Sequence, residues 1–238
     1  MKIEEFINEV RKLNINITNE MLNNLKIYEQ FLKTENEKYN LTSIINEEEV
    51  YLKHFYDSLT ICKSVDLNSV DSLLDIGTGA GFPGLVIKIF FPHIKVVLLD
   101  SNNKKVYFLT VLVKKLLLKN VEIVNQRSEK YAIENYNKFD IVTSRAVAKL
   151  HILCEIGLPM VKKNGYLIAL KGKNVEEIND AKDTILILNS DIESIVNFEL
   201  PSNQGERNII KIKKNKETNN FLIRSYEKIL KKPLKKTD

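Results

Sequence analysis

The sequence predicts a doubly wound α/β domain: a parallel sheet covered by helices on both faces, with a helical cap before it and an antiparallel hairpin at its end. Three observations predict this class. Short apolar runs alternate with helical patterns from Ser72 to about Leu188. The first of those runs ends in the glycine-rich stretch Asp75-Ile-Gly-Thr-Gly-Ala-Gly81. Two strand-like runs then follow one another without a helix between them. Alternation of this kind implies right-handed βαβ units, and the final pair implies an antiparallel addition to the same sheet.

Taken in order, the first 65 residues read as helices. Phe6, Ile7, Val10 and Leu13 keep helical spacing, as do Met21, Leu22, Leu25, Tyr28 and Leu32 behind Thr18 as N-cap. A third helix near Glu47 to Lys63 carries Val50, His54, Phe55, Leu59 and Cys62 on one side, after the polar connection Tyr39-Asn-Leu-Thr-Ser43. Ser72 to Ile76 is a buried strand. A helix from about Gly84 to Phe91 stops at Pro92, Lys95 to Leu99 is the second strand, and Asn103 to Lys119 is a long helix. Val121 to Val124 is strand-like, then comes a weak helix and a strand from Phe139 to Thr143. Ala146 to Val161 is expected to be helical, Tyr166 to Leu170 a strand, and Val175 to Leu188 helical. Ile192 to Leu200 and Asn208 to Ile212 form the closing strands, and Asn219 to Lys231 reads as an exposed amphipathic helix. The expected division is a helical cap at 1–65, a catalytic domain at 66–214 and a basic helix or tail at 215–238.

Composition excludes several classes. At 238 residues with 44% hydrophobic and 28% charged residues, the chain needs no disulfide staples, and Cys62 and Cys154 lie in no CxxC or His-rich setting. Structural zinc is therefore not expected, and the thiols read as reduced. The first residues, Met1-Lys-Ile-Glu-Glu-Phe6, put acids where a signal peptide carries its apolar core, and Lys114 and Lys115 interrupt the longest apolar run. A cytoplasmic monomer with no membrane contact is the expectation. Of the net charge of +5, Lys211 to Asp238 carries ten Lys/Arg against three Asp/Glu, a local +7 that leaves −2 for the rest. A basic tail on a near-neutral body suggests contact with a polyanion, and a solvated helix is the bland alternative.

Ligands of open α/β sheets bind at the carboxyl ends of the strands, near the point where strand order reverses. Gly77 and Gly79 follow the first strand and open the way to a helix N-terminus, so backbone can approach a ligand there. Dinucleotide enzymes share such a loop. Here position 82, where their fingerprint wants a third glycine, is Phe82, and Asp75 precedes the loop. That carboxylate either orients the loop or faces a cationic ligand, and a pyrophosphate would be repelled by it. Methyl transfer from S-adenosyl-L-methionine is favoured. Asp100 ends the second strand, where it would accept bonds from ribose hydroxyls; capping the next helix is its other reading. Ser128 and Glu129 follow the third strand, where backbone N–H groups would read an adenine edge, although an ordinary helix start fits them too.

Ser144-Arg145-Ala146 ends the fourth strand, facing the methyl-transfer point. The Asn/Asp-Pro-Pro-aromatic signature of enzymes acting on exocyclic amines is missing, and neither cysteine sits in the Pro-Cys context of a cytosine-C5 nucleophile. The acceptor is then expected to be nucleophilic by itself, as guanine N7 is, with the protein supplying orientation and electrostatics. His54 and Asp57, three apart on one helix, read as a hydrogen-bonded pair rather than a metal site.

These motifs fall in the order of one family. Asn40-Leu-Thr42, His54 with Asp57-Ser58, Asp75 through Gly-Phe-Pro-Gly84, Leu99-Asp-Ser101 with Lys104 and Lys105, Arg127-Ser-Glu129, Ser144-Arg-Ala146, Lys171 and Gly205-Glu-Arg207 together closely resemble the RsmG (GidB) family over residues 1 to 214. The resemblance implies a class I, Rossmann-like fold and methylation of N7 of one guanosine in small-subunit (16S) rRNA, as rRNA or as a ribosomal particle. It implies cofactor contacts at Gly77, Phe82, Ser128, Glu129 and Arg145, with Arg145 the candidate catalytic residue. It also implies that Lys171 and Arg207 lie near the substrate or the mouth of the site. Relatives often end in a Pro-Arg-Lys-Pro-Gly-type segment, whereas this chain reads Arg224 to Pro233 without that glycine. A nucleotide-binding regulator and a small-molecule methyltransferase are the competing classes, separated by cofactor binding and by the effect of removing 219–238.

Overall fold

The computed structural model describes residues 1–145, 147–172, 177–219 and 222–235. The cap opens with α1 (Ile3–Lys12) and α2 (Asn19–Tyr39), and Thr18 accepts the Met21 N–H as the expected N-cap. Asn40 ends α2 in the left-handed region, at φ 50°. The third helix, α3, is irregular. It runs as Glu47–Glu49, a π-helical Val50–Tyr56, Asp57–Leu59 and a 3-10 turn Thr60–Lys63. Wide turns of this kind recur at functional sites because they leave carbonyls for other partners.

The domain proper follows as β1 (Ser72–Ile76), α4 (Gly84–Phe90), β2 (Lys95–Asp100), α5 (Asn103–Lys115), β3 (Val121–Asn125), α6 (Ser128–Glu134) and β4 (Phe139–Arg145). Then come α7 (Leu150–Gly157), β5 (Val161–Lys171), α8 (Glu177–Ile187), β6 (Ser190–Glu199), β7 (Glu206–Lys214) and α9 (Tyr226–Lys231). The seven strands pair in the order β3-β2-β1-β4-β5-β7-β6, parallel up to β5, with β7 antiparallel between β5 and β6. Strand order therefore reverses between β1 and β4, which places the glycine loop and Arg145 side by side.

The period-2 alternation of each strand feeds two cores. Leu73, Val96, Leu98, Ile141 and Ile168 join one apolar cluster, while Leu74, Val97, Leu99, Val142 and Leu167 join the other. The first cluster includes Phe6, Tyr28 and Phe55, so the helices of 1–65 share a core with the sheet face they cover. Helices α6 to α9 cover the second.

Two expectations are corrected. The helix expected over Ala146 to Val161 begins at Leu150, and Ala146 lies outside the described residues. Its end is earlier too: a 3-10 turn at Leu158–Met160 hands over to β5, where Val161 pairs with Phe139. Of the helix expected over Val175 to Leu188, 175 and 176 lie outside the described residues. The exposed helix expected over Asn219 to Lys231 is also corrected. Among the described residues of this stretch the α-helix is Tyr226–Lys231, with 220 and 221 outside the described residues. Ile229 is 1% exposed, and Leu222, Ile223 and Leu234 pack on the second cluster. Part of the basic charge is engaged within the fold. Lys211 and Lys213 pair with Glu193, Arg224 pairs with Glu155, and Lys214 is buried, its ammonium pushed down to about 7 by desolvation. Among the described residues no helix is long and apolar enough to cross a membrane.

Candidate active site

A continuous groove runs over the carboxyl ends of β1 to β4. Its inner cavity is lined by Gly77, Leu99, Asp100, Ser128, Glu129 and Tyr226, among others. Its middle cavity, ≈ 420 Å³, takes in Thr42, His54, Gly79, Phe82, Lys105 and Arg145. Its outer cavity, ≈ 240 Å³, is bounded by Lys53, Asp57, Arg145, Lys171 and Arg207. The first two share Gly77, Asp100 and Val147, and the last two share His54 and Arg145. The middle cavity alone reaches the ~300–1,000 Å³ range of small-molecule sites. A larger cavity of ≈ 660 Å³ opens at the opposite ends of the strands, but its titratable lining is only Cys62 and Asp66. Convergent charge, rather than volume, marks the groove as the site.

The loop is held by two carboxylates with different jobs. Asp75 is fully buried, and its Oδ2 accepts from the Thr78 hydroxyl at 2.6 Å and from the Gly84 N–H at 2.8 Å. Burial pushes its carboxyl up to about 7 against those hydrogen bonds. Of the two roles open to Asp75, the structure selects loop orientation, because the side chain lines neither cavity. The argument that its charge repels a pyrophosphate is thereby corrected. Asp100, itself 7% exposed, takes the ligand-facing role. Its Oδ2 accepts from the Gly79 N–H at 2.9 Å and its Oδ1 from the Asn102 N–H at 2.8 Å, and it borders both the inner and middle cavities. A carboxylate has about four lone-pair sites, so two remain for a ligand. Capping of α5 falls instead to the Asn102 side chain, which accepts from Lys104 N and Lys105 N.

At the inner end, Ser128 and Glu129 open α6; the Lys130 and Tyr131 N–H groups turn back to the Arg127 carbonyl, while those of Ser128 and Glu129 precede the first intrahelical bond. The Ser128 hydroxyl donates to the Ile156 carbonyl at 3.0 Å, so this side chain ties α6 to α7 and leaves the backbone for recognition. Val147 stands 42% exposed between the inner and middle cavities.

Arg145 organises the outer end. Its Nη1 donates to the Lys53 carbonyl at 2.9 Å, within the π-helical turn, and to Asp57 Oδ2 at 3.3 Å. Asp57 Oδ1 accepts from Arg207 Nε at 2.9 Å, so one buried carboxylate bridges two guanidiniums. Arg145 Nη2 lies 3.1 Å from His54 Nδ1. A guanidinium only donates, so this contact is made by the tautomer with its proton on Nε2. Nδ1 also stands 3.2 Å from the Lys53 carbonyl, which the other tautomer would serve. With the proton on Nε2, that N–H faces the Thr42 hydroxyl oxygen at 2.9 Å, which also accepts from Ile44 N at 3.1 Å. Thr42 can then offer only its own O–H to a further partner in the middle cavity. Phe82 lies parallel to the rings of His54 at 4.3 Å and Tyr28 at 5.3 Å, with the Arg145 guanidinium 5.1 Å from its centroid. His54 and Asp57 thus meet through Arg145, which corrects their reading as a pair bonded to each other.

Burial, then the Arg145 charge, lower the His54 imidazole from 6.5 to about 3. With the folded value depressed, neutral His54 contributes stability that is present above the unfolded value and lost as pH falls toward 3. The melting temperature of the native chain should therefore drop on acidification through this window more steeply than that of His54→Gln. Parallel profiles for the two would overturn the assignment.

Lys171 borders the outer cavity, and its ammonium is bonded to the Ala148 carbonyl and, at 2.9 Å, to Glu177 Oε2. The same Glu177 oxygen accepts from Leu150 N at 2.8 Å, so Lys171 and Glu177 together hold the entrance to α7. The structure brings all nine residues singled out from the sequence to one groove. Sequence reasoning missed Thr42, the Lys53 carbonyl and Tyr226. The first sits in the Asn40-Leu-Thr42 motif, and the other two had no local signal.

The residues present fit an adenosine-bearing cation. Acidic Asp100 and Glu129 flank apolar Leu99, Val147 and Ile156 in the inner cavity. At Gly77 a Cβ would come within 2.5 Å of Val147 Cγ2, so the loop leaves no room for a side chain beside the apolar wall.

Comparison with known proteins agrees with this geometry. The family model described as GidB, rRNA small subunit methyltransferase G, matches residues 21–210. The ribosomal RNA small subunit methyltransferase G of Bacillus subtilis (strain 168) is 44% identical over 221 residues, covering 92% of each chain. That of Staphylococcus carnosus (strain TM300) is 41% identical over 222 residues, again covering 92% of each. Solved structures share the fold at low identity. The 16S rRNA (adenine(1408)-N(1))-methyltransferase of Catenulisporales acidiphilia gives a TM-score of 0.53 at 14% identity, over 64% of this chain and 88% of that one. M. jannaschii TYW2 in complex with AdoMet gives 0.51 at 14%, over 63% and 71%. Identity sustained along nearly the whole of two relatives, over a sheet with the strand order that this loop requires, leaves one conclusion: the chain belongs to the GidB family, rRNA small subunit methyltransferase G.

Proposed function

We propose that this chain transfers a methyl group from S-adenosylmethionine to N7 of a guanosine in 16S rRNA, presented as rRNA or within a small-subunit particle in the cytoplasm. It is an S-adenosylmethionine-dependent rRNA methyltransferase by family. The observation that carries the finer reading is the continuity of the groove, from the nucleoside-like inner cavity past the glycine loop to the arginine-lined outer cavity. Bound S-adenosylmethionine supplies a methyl group made electrophilic by its sulfonium. Asp100, with Ser128 and Glu129, would hold the nucleoside part, and Gly77, Gly79 and Phe82 would shape the path to the transfer point.

Among the described residues the acceptor side offers no free base. With the proton on Nε2 the His54 lone pair is taken by Arg145, and both Asp57 oxygens are taken by arginines. Cys62 lies outside the groove, toward the opposite strand ends, and burial pushes its thiol up to about 12. Cys154 is buried completely and shifted the same way. Such a site suits an acceptor that attacks without losing a proton, and guanine N7 has its lone pair free. Catalysis then rests on orientation and on fixed charge. Asp57 has a further use on this reading. N7 methylation leaves the base cationic, and the carboxylate keeps two nearby guanidiniums from opposing that charge. Lys171 and Arg207 would face the phosphate-bearing substrate, so binding should weaken sharply with salt.

Mass spectrometry of 16S rRNA from a deletion strain tests the reading, and an unchanged N7-methylguanosine content would end it. Tritiated cofactor offered with naked rRNA, a partly assembled particle and the finished subunit identifies the substrate form. Within the site, Asp100→Ala should weaken S-adenosylhomocysteine binding by roughly 1–3 kcal/mol, the scale for hydrogen bonds to a charged group. Calorimetry showing native affinity in that variant would remove Asp100 from the cofactor site.

A further inference from the structure

The C-terminal segment is tied down far more firmly than a solvated basic arm would be, and it delivers one aromatic ring to the groove. Glu155 on α7, 4% exposed, is the main anchor. Its Oε2 accepts from Arg224 Nε at 3.0 Å and from Arg224 Nη2, and its Oε1 accepts from Leu234 N at 2.8 Å. Arg224 Nη1 donates to the Lys232 carbonyl at 2.9 Å, and the Thr184 hydroxyl on α8 donates to the Leu234 carbonyl at 2.9 Å. Ile229 is sealed into the second apolar cluster at 1% exposure. One buried carboxylate thus clamps both ends of a strap running from Arg224 to Leu234.

The strap sets Tyr226 at the inner cavity. This residue lines it together with Ile76, Leu99, Val147 and Ile156. The Arg127 guanidinium lies 4.2 Å from the Tyr226 ring centroid, and Arg127 Nε is 3.4 Å from Glu129 Oε1. Tyr226 is therefore linked through Arg127 to the α6 start, where Ser128 and Glu129 sit. The aromatic ring is half-buried, so it is neither a core residue nor a freely solvated one.

We propose that Tyr226 is a cofactor-contacting residue that completes the nucleoside end of the S-adenosylmethionine site, and that the strap 222–235 is a positioning device for it rather than an RNA-binding arm. The inference rests on the reading that the inner cavity takes the nucleoside. The physical ground is the cavity itself. Besides aliphatic side chains, strand ends and carboxylates it is lined by Ser101, Gln126 and the Arg127 guanidinium. Tyr226 is thus the one aromatic residue among the described lining residues, and a planar base would use the ring face that Arg127 leaves open. Aromatic rings serve any base in this way because every base has a π-face.

The test is calorimetry of the full-length chain with S-adenosylhomocysteine and, separately, with adenosine, which lacks the amino-acid end. Tyr226→Ala should weaken both ligands by the same factor, about tenfold, the size of losing one base–aromatic contact. Tyr226→Phe should retain native affinity, since the ring and not the hydroxyl forms the wall. Glu155→Gln should weaken both ligands by a smaller factor by loosening the strap. In steady-state assays Tyr226→Ala should raise KM for the cofactor and leave KM for the rRNA substrate unchanged. Native affinity of Tyr226→Ala for both ligands would overturn the proposal, as would a rise confined to KM for rRNA. A native chain that binds neither ligand would instead sink the cofactor reading of the cavity, with Tyr226 falling along with it.

Discussion

Asp57→Ala is expected to cost about 3–5 kcal/mol of folding stability, the scale for removing one partner from a buried ion pair. The carboxylate is 6% exposed and holds Arg145 at 3.3 Å and Arg207 at 2.9 Å, from a strand end and from the hairpin. Truncation leaves two guanidiniums in a partly desolvated site, Arg145 with the Lys53 carbonyl and His54 as remaining acceptors and Arg207 with the Glu206 carbonyl. Activity should fall with stability, because Arg145 loses the contact that fixes it against Phe82. Asp57→Asn retains an acceptor without the charge and should fall between the native chain and Asp57→Ala. Urea unfolding near neutral pH measures the difference. A loss of under about 1 kcal/mol, typical of a surface pair, would show that the bridge does not organise the site.

Gly77→Val should abolish cofactor binding more completely than Asp100→Ala weakens it. Gly77 sits at φ +63°, where a β-branched residue is strained by about 1–3 kcal/mol. Its new Cβ would also stand 2.5 Å from Val147 Cγ2 and 3.2 Å from Cγ1, so Val147 would be driven out of the wall that it shares between the inner and middle cavities. The fold should survive, since the loop lies at the sheet's open end. Calorimetry with S-adenosylhomocysteine, alongside a melting curve, separates the two effects. Native affinity in a folded Gly77→Val chain would show that the loop does not border the ligand.

Much of the fold was legible because its causes are local. The apolar runs at Ser72 to Ile76 and Lys95 to Leu99 are strands buried on both faces, and alternate residues feed opposite cores. Thr18 caps α2 through a contact three residues away. The boundaries that failed are the ones decided by distant partners. Val161 reads as the end of an apolar helix until it pairs with Phe139, and the C-terminal helix starts at Tyr226, after Leu222 and Ile223 pack on the second cluster and Arg224 joins the Glu155 clamp.

The same division holds for the site. The sequence by itself determined the sheet, the glycine loop at the end of its first strand, Asp100 at the end of the second and Arg145 at the end of the fourth, because chain order and strand period place each within a few residues of its motif. Only the tertiary structure decided that Asp75 steadies the loop from inside and Asp100 faces the groove, since both are buried aspartates and only Asp100 borders the cavities. It alone joined Asp57 to Arg145 and Arg207, which lie 88 and 150 positions away. Contacts at that separation leave no periodic trace in a sequence, and they form only when the cap, the fourth strand and the hairpin close around one buried carboxylate.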